Sequence, residues 1–290
     1  MARAIEQRLS EAYEGAVWHT KDEGPIDAPV IVMMHGWGSR LDHFDGLAGA
    51  VKDQYRVIRF DLPGHGQTPP PSGGLSIPDA GNAIEAQLLA RGVTRCVWVG
   101  HSNGGRLGLY LASRSPAETA EATAHRVSID ALLLLAPSGM KPRRAPSYYL
   151  KRAIAVGLKT PLRLLPMPLR TGAEEALRYT LPWRLISSSD YSTLSPDMRH
   201  MFVQMVNWYV EDKLASIVCP TVILRGDRDT AVGAWELERL AQGIADGGYV
   251  TVAEAGHYLQ LDQPQVVLSS LLHLMTSVHT AGPEPSMEVA

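Results

Sequence analysis

The stretch Arg95–Leu107, RCVWVGHSNGGRL, decides how the rest of the chain is read. Cys96 to Val99 form a short apolar run suited to a buried parallel strand. Gly100-His101-Ser102-Asn103-Gly104 then matches G-x-S-x-G ahead of a helix-like segment. A strand, a sharp turn and a helix meet at Ser102. Backbone at such a turn is strained and closely packed, so glycines stand two positions before and two after the serine. The arrangement lifts the hydroxyl to the carboxyl end of a sheet, where the Asn103 amide, at the positive end of the helix, can donate to a developing oxyanion. The same residues also describe an ordinary glycine-rich turn, so the context must decide.

Toward the amino terminus, Pro29 to Met34 (PVIVMM) is apolar throughout, as in a parallel strand covered on both faces. It ends on His35-Gly36-Trp37-Gly38. Glycine there allows close backbone approach, and the Trp37 amide is a candidate second oxyanion donor; the alternative is a tight turn with Trp37 simply packed. Leu41 to Val51 has helical spacing, Tyr55 to Phe60 reads as a strand, and Asp61 to Thr68 is a turn dense in Pro and Gly. Pro69 to Gly74 reads as a surface loop, and Ile77 to Arg91 as a helix with Pro78 in its first turn. Ala12 to Thr20 alternates loosely and predicts an antiparallel edge strand.

Toward the carboxyl terminus, Arg106 to Ser113 continues the helix and Ser128 to Ala136 (SIDALLLLA) is another buried strand. Between Met140 and Ser216 no Val/Ile-rich strand occurs over about 75 residues, too long for a connection in a compact domain. Helical spacing at Tyr148 to Leu158, Ala173 to Tyr179 and Met198 to Val210 makes it a helical insertion. Strand character resumes at Cys219 to Arg225, followed by Gly226-Asp227-Arg228-Asp229. A helix over Ala234 to Gln242, a strand over Tyr249 to Val252, the turn Glu254 to His257 and a helix over Gln263 to Val278 follow. The alternation predicts an α/β fold with a doubly wound, mostly parallel sheet. Residues 1–139 and 217–279 form its core, 140–216 the insertion and 280–290 a frayed tail.

The 45% apolar content belongs to a globular chain, and a net charge of −3 offers no general attraction to nucleic acid or anionic membrane. Cys96 and Cys219 are the two cysteines, each beside or within a predicted strand, so no disulfide framework or thiolate metal site is expected. No apolar block has the length of a signal peptide or a membrane span. A soluble, cytoplasmic protein with small-molecule partners is the expectation, with a homodimer left open. The histidines are not spaced as a metal set.

Three polar residues, Ser102, Asp229 and His257, stand just beyond separate predicted strands, whose carboxyl ends converge on one crevice in a doubly wound sheet. A serine hydroxyl needs a base near neutral pH; histidine titrates in that range, and a buried carboxylate fixes its tautomer. Asp227 is an alternative carboxylate, and a turn histidine is the plainer reading of His257.

Together with His35-Gly36-Trp37-Gly38, Asp61-Leu62-Pro63-Gly64-His65-Gly66, Gly226-Asp227-Arg228-Asp229 and Gly256-His257, the elbow resembles the α/β-hydrolase superfamily from about residue 12 to 278, the insertion excepted. The resemblance implies Ser102 as nucleophile, His257 as general base then acid and Asp229 as its orienting partner. It also implies an oxyanion hole from the Trp37 and Asn103 amides and a cap over residues 140–216. His35, His101, Trp183, Met201 and Trp208 are candidates for the substrate pocket. A serine at the elbow, rather than aspartate, disfavours epoxide or haloalkane chemistry. The expected reaction is hydrolysis of a carboxylic ester, thioester or lactone with a small to medium apolar acyl group, using water and no cofactor. Alternatives are a carbon–carbon hydrolase of dienoic diketones, which the basic insertion start (Lys141, Arg143, Arg144, Lys151, Arg152, Lys159, Arg163, Arg170) would suit, and a hydrolase-like binding protein.

Overall fold

The computed structural model describes residues 17–71, 74–114, 126–143, 146–177, 180 and 194–280. In chain order the elements are β1 (Thr20–Glu23), β2 (Val30–Met34), α1 (Asp45–Val51), β3 (Arg56–Phe60), α2 (Ile77–Ala90), β4 (Arg95–His101), α3 (Asn103–Ala112) and β5 (Ser128–Leu135). Among the described residues α4 (Pro146–Lys159), α5 (Met167–Leu177) and α6 (Pro196–Val206) follow. The chain closes with β6 (Thr221–Gly226), α7 (Ala234–Gly243), β7 (Gly247–Val252), α8 (Leu259–Asp262) and α9 (Pro264–Thr280).

The seven strands form one sheet in the order β1-β3-β2-β4-β5-β6-β7, parallel except for β1 against β3. Alternation along β2 shows why its run is apolar throughout. Ile31 and Met33 enter one hydrophobic layer with Val97, Val99 and Leu133, while Val32 and Met34 enter the other with Trp98, Leu132 and Leu134. Both faces are buried, as parallel sheets require. Helix α2 starts on a Ser76–Asp79 capping box with Pro78 in its first turn, which satisfies its otherwise orphaned amides.

From β2 the chain crosses to β3 on one side and then returns to β4 on the other. The carboxyl ends of β2 and β4 therefore flank the point where winding reverses, the place where such sheets open a crevice. Strand β6 is tied to β5 through the register Leu132↔Thr221 to Leu135↔Leu224. The Ala136 amide then donates to the Leu224 carbonyl at 2.8 Å.

The edge strand differs from its sequence expectation, being Thr20–Glu23 rather than Ala12 to Thr20; residues 1–16 lie outside the described set. Its residues are held by charge, which apolar alternation does not reveal. Arg56 pairs with Asp22 at 2.7 Å and Arg59 pairs with Glu23, each guanidinium nearly buried beneath the edge. Helices α4, α5 and α6 lie between β5 and β6 with no strand among the described residues, as the apolar spacing predicts.

Candidate active site

Strand β4 runs into α3 through Ser102, whose φ of 50° and ψ of −111° are unusual for a residue with a side chain. The glycines around it are dictated by contact. A β-carbon on Gly100 would stand 2.5 Å from the Gly104 carbonyl oxygen, and one on Gly104 would stand 2.0 Å from the Met34 oxygen of β2. Trp98 is wholly buried and its indole donates to the Gly104 carbonyl at 2.9 Å, tying strand to helix. Ser102 itself donates its amide to Leu135 at 3.0 Å and accepts from the Ser138 amide at 3.1 Å.

After β2, the turn His35–Gly38 presses on the same spot: a β-carbon on Gly36 would lie 2.7 Å from the Ser102 β-carbon. The amides of Trp37 and Asn103 have no acceptor among the described residues. The Trp37 ring stands edge-on to His65 at 4.8 Å and to Phe202 of α6 at 4.9 Å. Packed indole and unoccupied amide thus coexist in one residue.

Asp229, in the turn after β6, is buried and accepts at Oδ1 from the Ala231 and Val232 amides, at 2.7 and 3.2 Å. At Oδ2 it accepts from His257 Nδ1 at 2.9 Å. Burial alone would raise its pKa, but the His257 hydrogen bond and charge, with the two amides, outweigh burial and hold the carboxyl below the usual range. Because the carboxylate is the acceptor, the His257 ring carries a proton on Nδ1. Asp227 has a different partner: its Oδ1 accepts from the Ala255 amide at 3.2 Å, bracing the turn that carries His257. Ser102 and His257 make no mutual hydrogen bond among the described residues.

His101 is buried and donates from Nε2 to the His257 carbonyl at 2.9 Å, with the two rings 4.8 Å apart. Burial, then the neighbouring His257, pushes its pKa down to about 3. His35 is fully enclosed, donating from Nδ1 to the Gly36 carbonyl at 2.7 Å and accepting at Nε2 from the Leu62 amide at 3.0 Å. Burial lowers its pKa to about 4. Both histidines are therefore buried and hydrogen-bonded to the backbone of the crevice.

Among the other expected pocket residues, Met201 is wholly buried in the hydrophobic layer and Trp208 stands edge-on to Tyr110 at 5.7 Å. Both join the insertion to α3 and its neighbours. Trp183 lies outside the described residues. The residues that do reach the crevice from α6 are Phe202, against Trp37, and Met198, against Gly64. Sequence reasoning passed over Phe202, although it lies one residue beyond Met201, because helical spacing alone does not say which face meets the turn. Near Trp37 and His65 a cavity of about 640 Å³ opens. A groove of about 620 Å³ lies elsewhere, lined by Val30, Arg56 and Arg95 at the amino ends of the strands. Among the described residues, no group of three His, Cys, Asp or Glu is placed to hold a metal, and no helix is long and apolar enough to cross a membrane.

A family model described as "Alpha/beta hydrolase family" matches residues 31–269. The chain is 24% identical over 276 residues to a protein of Variovorax paradoxus that carries the name of a carbamate hydrolase, RutD, covering 91% of this chain and 98% of the other. It is 36% identical over 97 residues to the bifunctional esterase/perhydrolase of Acinetobacter calcoaceticus, a match spanning 33% of this chain and 35% of that one. In three dimensions it is similar to a hydrolase from Pseudomonas aeruginosa, with a TM-score of 0.66 and 23% identity, covering 90% of this chain and 95% of the other.

Proposed function

The chain belongs to the alpha/beta hydrolase family, and on that premise we propose that it is a serine hydrolase cleaving a carboxylic ester, with thioesters and lactones as variants, through an acyl-enzyme on Ser102. One observation carries this reading. A buried Asp229 accepts from the His257 ring at 2.9 Å, the His257 carbonyl accepts from His101, and the next residue, Ser102, stands on a positive-φ elbow near two unengaged amides. The full-length similarity to a protein named as a hydrolase and the partial similarity to an esterase support it.

In this mechanism His257 Nε2 takes the Ser102 proton as Oγ bonds to the substrate carbonyl carbon. The carbonyl oxygen gains the electron pair and is held by the Trp37 and Asn103 amides. Collapse of that intermediate breaks the carbon–oxygen bond to the alcohol, which leaves with the proton from His257. Water, deprotonated by the same nitrogen, then attacks the acyl-enzyme, and Ser102 recovers its proton as the acid departs. The orienting carboxylate stabilises the imidazolium formed in both halves without itself being protonated. The helical insertion serves as the cap, bringing Phe202 and Met198 over the oxyanion turn.

The test is labelling by a fluorophosphonate probe with mass spectrometry of the Ser102 peptide, together with hydrolysis of p-nitrophenyl esters from acetate to octanoate. Labelling at Ser102 and a loss of at least ~10³-fold in kcat/KM in Ser102→Ala are expected. Folded protein that neither labels nor turns over any ester would overturn the reading and favour a binding role.

A further inference from the structure

The net charge of −3 conceals a division within the chain. The 30 residues from Lys141 to Arg170 hold eight Lys or Arg and no Asp or Glu, while the rest of the chain has 19 Lys or Arg against 30 Asp or Glu. A strongly cationic segment of the insertion is thus carried on an anionic body. Such a run repels itself unless carboxylates from elsewhere answer it. Few do: Lys141 meets Glu211 at 3.3 Å and Arg170 meets Glu174 at 2.9 Å. Arg152, exposed on α4, has no carboxylate partner among the described residues.

The same segment exposes apolar side chains. Leu164, Met167, Leu150 and Leu169 are each between 64% and 87% exposed, and Tyr149 and Val156 each more than half. They run through α4, the turn Pro161–Leu164 and the start of α5. A helix face in water is ordinarily polar, so unburied apolar area and unanswered charge both count against this face standing in water alone.

We propose that this face of the insertion docks on an anionic lipid surface, with α4 and the start of α5 lying in the headgroup layer. The proposal is independent of the hydrolase reading. A bilayer offers both partners the segment lacks. Acyl chains receive the Leu, Met and Val side chains, anionic headgroups meet the cations, and the Tyr rings suit the boundary between them. Helix α4 has 14 residues, about 21 Å of length, too short to cross about 30 Å of hydrocarbon but able to lie along its surface. The anionic remainder of the chain is repelled by the same surface, which turns the insertion toward the lipid. Nucleic acid would answer the cations and leave Leu164 and Met167 in water. A second copy seated face to face would set one cationic run against another.

The experiment is co-sedimentation of the full chain with vesicles of phosphatidylcholine alone, and of phosphatidylcholine with about 30% phosphatidylglycerol, at about 50 and 300 mM NaCl. Binding to the anionic vesicles is expected to be at least about tenfold tighter than to the neutral ones, and to weaken at least about fivefold at the higher salt. Arg152→Glu combined with Arg163→Glu is expected to lower it at least about tenfold, and Leu164→Ser combined with Met167→Ser by a similar factor. Val218→Ser, at a residue 74% exposed but outside the segment, is expected to change nothing. Circular dichroism matching wild type establishes that each variant is folded. No binding by wild type, or equal binding to neutral vesicles, would overturn the proposal without relying on any variant. Binding that survives both double variants would overturn it too, as would binding to duplex DNA as tight as to anionic vesicles. A wild-type dimer that binds no vesicle, and that Leu164→Ser with Met167→Ser converts to monomer, would give the face to a second copy instead.

Discussion

At the elbow, a β-carbon on Gly104 would stand 2.0 Å from a carbonyl oxygen of the neighbouring strand; in the insertion, β-carbons on Gly157 and Gly172 would meet nothing within 4 Å. The same residue type marks a fixed backbone contact in one region and an unoccupied helical surface in the other. The apolar side chains repeat the contrast. Those of β2 from Ile31 onward and of β4 are buried to the last few per cent, whereas Leu164 is 87% and Met167 70% exposed in the insertion. Where backbone meets backbone, few residues fit and the sequence is constrained. An outward helical face accepts many residues at similar free energy.

The largest effect that would break or sharpen this contrast is chemical. Asp229→Asn keeps the shape of the acid turn but disfavours the His257 tautomer that frees Nε2, and kcat/KM toward p-nitrophenyl esters is expected to fall about 10⁴-fold. A loss below tenfold would detach Asp229 from the chemistry. Next is packing: Gly104→Ala must displace β2 or α3, and a destabilisation of about 3 kcal/mol or more by urea unfolding is expected. A tolerated alanine would mean that the elbow yields as easily as the insertion.

The third concerns acid. His35 and His101 have folded pKa values near 4 and 3, below the unfolded value of about 6.5, so below pH 6.5 the unfolded chain binds protons that the folded chain refuses. Stability contributed by their neutral burial is complete above that pH and declines as pH falls toward 4. The decline amounts to about 2 kcal/mol for each at pH 5. Asp229 acts lower, its contribution being present above the unfolded carboxylate value near 3.9 and lost as pH falls through its depressed folded value. Urea midpoints between pH 7 and 5 should slope in wild type and flatten in His101→Gln. The smallest effect is expected in the insertion, where Gly157→Ala should stabilise α4 by about 0.5–1 kcal/mol, read as a small rise in melting temperature.

The same contrast explains what could be read in the residues before any coordinates. Pro29–Met34, Cys96–Val99 and Ser128–Ala136 announce strands because both faces are buried, and Gly100 and Gly104 announce the elbow because no larger residue fits. The edge strand at Thr20–Glu23 stayed hidden, since its Asp22 and Glu23 answer arginines on β3 rather than an apolar face. Met201 and Trp208 carry the composition of a pocket but fill the seam between insertion and core, and spacing cannot separate those two uses.

The closed pair, Asp229 and His257, comes from one contiguous stretch running from β6 through β7, while Ser102 belongs to an earlier stretch on the far side of the insertion. What joins them is β5, whose consecutive residues Leu135 and Ala136 engage the Ser102 amide and the Leu224 carbonyl. A slip of one residue between β5 and β6 would leave each stretch internally intact and carry the base away from the serine. The register between β5 and β6 is therefore a condition of the proposed site. On the proposed mechanism, the hydrogen bonds of the Asp229–His257 stretch would serve no turnover unless those two residues engaged both partners.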